Sequence, residues 1–120
     1  MIKKVAVASR NKRNAIGHAG SCQSYFIYNI DAKGKYTKEL KELAEDETLH
    51  HTFHNKSSSN QKNYLFDMDY MIVTKIGMNA VKKLAKENVT ALIIDRTEST
   101  DEVINSFLAD TLVTYEAQPH

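Results

Sequence analysis

Residues 69–95, "DYMIVTKIGMNAVKKLAKENVTALIID", decide the fold. "YMIVT" (70–74) is a short apolar, β-branched run of the kind buried in a sheet, and "IG" (76–77) ends it. "MNAVKKLAKEN" (78–88) then changes to helical spacing, with Ala80, Val81, Leu84 and Ala85 as the inward stripe and Lys82, Lys83, Lys86 and Glu87 facing water. "VTALIID" (89–95) returns to a strand. Strand, helix, strand in that order is the signature of parallel pairing.

Working outward, "IKKVAVA" (2–8) is another β-branched apolar run that ends in the polar loop "SRNKRN" (9–14). "SYFIYNID" (24–31) is aromatic and β-branched, and the glycine-containing "AKGK" (32–35) after it predicts a hairpin into "KYTKEL". Residues 37–47, "TKELKELAEDE", also read as a helix through Leu40, Leu43 and Ala44. The shortness of "AKGK" favours a strand to about Leu40 and an irregular segment beyond it. "TLHHTFHNKSSSNQKN" (48–63) has little to bury and reads as a mobile loop. Ser59 is placed to cap a short helix to about Met68, with Tyr64, Leu65 and Met68 inward. "STDEVINSFLADTL" (99–112) closes the chain as a helix. Ser99 and Glu102 are spaced as a capping box, Val103, Ile104, Phe107 and Leu108 form its buried face, and a frayed tail follows from about residue 113. An α/β domain over 1–120 is the result, with a mixed five-stranded sheet covered by helices on both faces. Strands one, four and five are parallel neighbours in it, and strand two is antiparallel to strand one.

Composition narrows the function. Sixteen Lys and Arg against fifteen Asp and Glu, with no long run of one sign, leave no basic footprint for nucleic acid. No apolar stretch reaches the roughly 18 residues that span a bilayer. The single Cys22 cannot form an internal disulfide, so a reducing cytoplasm is the expected setting. Gly17, Gly20, Gly34 and Gly77 fit no phosphate-binding fingerprint. The first strand lacks the carboxylate a metal-dependent nuclease on such a sheet would place there.

Histidine is the remaining chemistry. His18 lies in the glycine-flanked "GHAG" (17–20), and His50, His51 and His54 lie in the long polar loop. Imidazole binds borderline metals and adds a ligand to sulfur-bearing clusters, but "HHxxH" without cysteine pairs is no zinc signature. Spacing alone leaves both a metal site and structural histidines open. "IGM" (76–78) opens a helix, where backbone N–H groups can hold an anion or where a tight turn simply needs glycine.

The succession "KVAVAS", "GHAG", "SYFIYNID", a histidine-bearing loop, residues 69–95 and "STDEVINSFLADTL" resembles the dinitrogenase iron-molybdenum cofactor biosynthesis family over nearly the whole chain. The family's His-Phe-Gly turn falls on His18, Ala19 and Gly20, and its Ile-Gly falls on Ile76 and Gly77. Ala19 stands where an aromatic is usual, and the histidine loop lacks glycine-rich texture. The resemblance implies a three-layer ribonuclease H-like fold without nuclease carboxylates. It also implies a non-enzymatic role in nitrogen fixation: binding and carrying the iron-molybdenum cofactor, its iron-sulfur precursor or a related molybdenum-containing sulfide cluster. His18 is then the expected ligand, with His50, His51 or His54 closing over the cluster and Cys22 as an alternative soft ligand. Gly20 and the Ile76-Gly77-Met78 turn would offer backbone contacts to sulfides. The expected chain is a monomer whose partners are cluster-donor and acceptor proteins. The alternative is a protein-interaction or regulatory domain of the same fold, in which His18 only caps its turn.

Overall fold

The structure, a computed structural model, describes residues 3–49, 63–95 and 98–115. These form β1 (Lys3–Ala8), β2 (Ser24–Ile30), β3 (Tyr36–Glu42), β4 (Tyr70–Val73), α1 (Met78–Lys86), β5 (Thr90–Ile93) and α2 (Thr100–Leu108). The strands make one five-stranded sheet in the order β3-β2-β1-β4-β5. β2 runs antiparallel to β1 and β3, and β4 runs parallel to β1 and β5, as the sequence predicts.

β1 lies at the centre because it can be buried on both faces. Val5, Ala6, Val7 and Ala8 are all fully buried, the continuous apolar run typical of a strand covered from two sides. Alternate side chains then supply two cores. On one face Ala6, Tyr25, Ile27, Met71 and Val73 pack with Leu84 of α1. On the other, Val5, Val7, Tyr28 and Ile72 pack with Val103 and Ile104 of α2. Helix, sheet, helix is the three-layer arrangement expected.

β3 resolves the ambiguity of residues 36–48. Its seven residues pair with β2 from Ser24↔Glu42 to Ile30↔Tyr36, and this ladder outweighs local helix propensity. Lys38, Glu39, Lys41 and Glu42 give this exposed edge the charge that discourages pairing with another chain. The connecting turn works because Gly34 adopts φ +82°, while Asp31 Oδ1 accepts the N–H groups of Lys33 and Lys35.

Several local expectations are corrected. Ala85 is exposed, because α1 turns the Ala80, Val81 and Leu84 side inward and Ala85 falls beyond that stripe. The helix stops where Asn88 takes a left-handed φ of 62° and its N–H reaches Ala85 O at 3.0 Å. Leu108 is exposed at the last turn of α2, which ends there rather than at 112. At its other end Ser99 Oγ accepts the Glu102 N–H at 3.2 Å. Asn63 caps a single 3₁₀ turn over Tyr64–Asp67, with Leu65 and Met68 buried and Tyr64 half-buried, while the cap expected at Ser59 lies outside the described residues. Of the tail expected to fray from residue 113, only residues 113–115 are described. Tyr115 donates its N–H to Ile93 O at 2.8 Å and its hydroxyl to Asp95 Oδ2 at 3.0 Å, pinning the chain to the β5 edge.

Candidate functional site

In open α/β sheets, ligands bind beyond the carboxyl ends of parallel strands, where the loops that follow them diverge. β1 and β4 are parallel neighbours, so the loop carrying His18 and the loop carrying Ile76-Gly77-Met78 emerge side by side. They are also joined. The Thr74 hydroxyl accepts the Gly17 N–H at 3.0 Å and donates to Gly17 O at 3.1 Å, while the Thr74 N–H donates to the same carbonyl. One step further on, the Ala19 N–H donates to Lys75 O at 2.9 Å, a parallel bridge between His18 and Lys75.

The His18 turn is tight and supported from below. Its carbonyl accepts the N–H groups of Ser21 and Cys22, closing a single helical turn. Ala19 is fully buried, and the hydroxyl of buried Tyr25 donates to Ala19 O at 3.1 Å. Burial pushes the Tyr25 phenol far above its usual range, so it stays a donor at any ordinary pH. Gly17 is glycine for space: a Cβ there would stand 2.9 Å from Ala8 Cβ and 3.0 Å from Cys22 Sγ.

His18 itself is exposed, with Nδ1 accepting the Gly20 N–H at 3.2 Å. A ring nitrogen that accepts is unprotonated, so the neutral ring carries its proton on Nε2. Coordination through Nδ1 would compete with Gly20 for the same lone pair. Coordination through Nε2 would move the proton to Nδ1 and set two donors against each other. Either route gives up this turn bond, at about 1 kcal/mol.

Across the zipper, Ile76 is buried in the core and serves to anchor its loop. Gly77 is the N-cap of α1 with extended backbone, and no side chain caps the helix start. Met78, the first helical residue, is 37% exposed. The first turn carries no acidic residue, so the positive end of the helix is not neutralised from within it.

Cys22 does not belong to this surface. It is buried, its thiol points to Ser24 O at 3.1 Å, and burial pushes its ionisation above the usual thiol range. It packs in the core beneath Gly17, where an added Cβ would stand 3.0 Å from its sulfur. His50, His51 and His54 lie outside the described residues. Among the described residues no three of His, Cys, Asp and Glu gather in a metal-binding group. No described helix is long and apolar enough to cross a membrane.

Three contributors were not legible as site residues. Thr74 looks like a strand end, Lys75 contributes only its carbonyl, and Tyr25 reads as core. The one available signal was Tyr25, whose inward position in β2 obliges its hydroxyl to find a buried partner.

A mixed α/β sheet with two loops laced together past its parallel strand ends defines the class of protein. The chain belongs to the dinitrogenase iron-molybdenum cofactor family, whose pattern matches residues 1–110. Among solved structures, a provisionally named dinitrogenase of Methanocaldococcus jannaschii has a similar fold, with TM-score 0.68 at 16% identity over 98% of this chain and 99% of that one. A provisionally named NifB protein of Thermotoga is also similar, with TM-score 0.61 at 16% identity over 93% of this chain and 92% of that one. No curated protein matches the chain.

Proposed function

We propose that the chain is a non-catalytic carrier in the cytoplasm. It receives a preformed metal-sulfur cluster at the paired loops beyond β1 and β4, and passes it to an acceptor protein. The cargo is the iron-molybdenum cofactor, its iron-sulfur precursor or a related molybdenum-containing sulfide cluster. The observation that carries this reading is the lacing of Gly17 to Thr74 and Ala19 to Lys75, which brings the family's His turn beside its Ile-Gly turn. His18 would supply an imidazole to a cluster metal, and the Gly77-Met78 helix start would supply N–H groups to sulfides. Because coordination gives up the Gly20 bond to His18 Nδ1, the ligand is held weakly enough to release, as a carrier requires. His50, His51 and His54 are a further source of imidazole, assigned from sequence.

One observation favours a second reading, a protein-interaction domain without cargo. The same Nδ1 contact is what a histidine used only to cap its turn would make.

Anaerobic reconstitution of the apo-protein, followed by gel filtration and iron and molybdenum analysis, separates the two. In the carrier, His18→Ala lowers retained metal at least tenfold while the urea midpoint changes by no more than a lost hydrogen bond, about 1 kcal/mol. A triple His50→Ala, His51→Ala, His54→Ala variant reports whether that loop contributes. Absence of retained metal and cluster absorbance in the unaltered protein would sink the carrier reading in favour of the interaction domain.

A further inference from the structure

The opposite end of the sheet carries a second concave surface. It is an open cleft of about 500 Å³ between the starts of β1 and β4, the end of β2 and the C-terminus of α2. That volume is within the range of small-molecule sites. Its apolar wall is Ile30 with an edge-to-face pair, the Tyr70 and Phe107 rings, whose centroids are 5.1 Å apart at 66°.

The polar wall is unbalanced. Two exposed carboxylates, Asp31 and Asp110, and one ammonium, Lys3, line the cleft, and Lys3 Nζ stands 5.9 Å from the Tyr70 ring centroid. The C-terminus of α2 adds the negative end of a helix dipole, and no basic residue occupies its last turn. Asp31 is held in place by the two backbone N–H groups donated to Oδ1. Asp110 sits at φ 59°, a conformation costly for most residues, and among the described residues its carboxylate makes no hydrogen bond or ion pair.

We propose that this cleft binds a small organic cation, a primary amine on an apolar or aromatic body. The ammonium lies against Asp31, Asp110 and the end of α2, and the body lies on Ile30, Tyr70 and Phe107. Lys3 acts as the internal competitor for the same negative field. The site is independent of the loops beyond β1 and β4, from which it is separated by the length of the strands.

Phenethylamine and 3-phenylpropionate have matched apolar bodies and opposite charge, so they serve as probes for the full chain, read by amide chemical shifts. Phenethylamine should give saturable shifts at Asp31, Gly34, Phe107 and Asp110 at millimolar concentration, and 3-phenylpropionate should give none. Asp110→Asn keeps a residue that tolerates positive φ and should weaken the amine about two- to fivefold, the scale of one exposed charge contact. Lys3→Met should tighten it by a similar factor. The proposal is overturned if the acid binds as well as the amine, if Lys3→Met weakens the amine, or if no saturable shifts occur at these residues.

Discussion

Gly17→Ala tests whether the His18 loop is set by close packing. The added Cβ would lie 2.9 Å from Ala8 Cβ and 3.0 Å from Cys22 Sγ, both well inside ordinary contact. Ala8 belongs to the central strand and cannot retreat, while the cysteine side chain is fixed by its bond to Ser24 O. Overpacking of this kind costs about 2 kcal/mol. For a domain of this length that lowers the melting temperature by about 8 °C. Cys22→Ala alone should cost on the order of 1 kcal/mol, for one lost buried atom and its cavity. The double variant relieves the sulfur contact but not the Ala8 contact. Its cost should therefore fall short of the sum by about 0.5–1 kcal/mol. Urea unfolding followed by circular dichroism measures all four corners of the cycle. Strict additivity, or a Gly17→Ala variant as stable as the parent, would refute the claim that the loop rests on the thiol.

Two further variants probe pH. The Tyr28 hydroxyl donates to Asp101 Oδ1 at 2.7 Å, and Lys38 Nζ lies 3.1 Å from the same oxygen, so the Asp101 carboxyl ionises below its usual 3.8. Its contribution is complete above that value and is lost as pH falls through the lower folded pKa. Tyr28→Phe should cost about 2 kcal/mol near neutrality, since Thr100 also loses its partner, and should flatten the stability profile below about pH 4. An unchanged acid slope in urea midpoints would remove Asp101 as its source. Burial keeps Tyr25 protonated in the fold, whereas the unfolded chain ionises it near pH 10, so stability falls as pH rises beyond that point. Tyr25→Phe should remove about 1.4 kcal/mol per pH unit of that decline while costing about 1 kcal/mol at pH 7, measured by the same midpoints.

The β4–α1–β5 unit was readable because its period changes from strand to helix to strand within one short stretch, and few alternatives bury the same residues. β3 was harder: Leu40, Leu43 and Ala44 satisfy a helix locally, and only the seven-rung pairing with β2 overrules them. Ala85 and Leu108 count as apolar in any periodic pattern. Where the helix points its stripe and where it stops depend on Asn88 and on the sheet beneath. His18, Gly20 and Gly77 could be named from their motifs, but not the partnership between their loops. That partnership runs through a threonine hydroxyl and main-chain carbonyls, which carry no pattern of their own. The burial of Cys22 agrees with the usual place of a lone free cysteine, in a core.

The Gly17–Thr74 lacing joins residues 57 positions apart in the chain. Bringing such distant segments together costs roughly 3.5 kcal/mol of loop entropy before any contact repays it. Contacts of that range form late in folding relative to the β2–β3 hairpin. The paired loops therefore act as a certificate of completion. A nascent or half-folded chain, with its hairpin formed but β4 not yet docked, has a histidine and a helix start that never meet. If the chain is the carrier proposed above, such a half-folded form would lack the paired loops, and loading would wait for the finished sheet without any separate checkpoint.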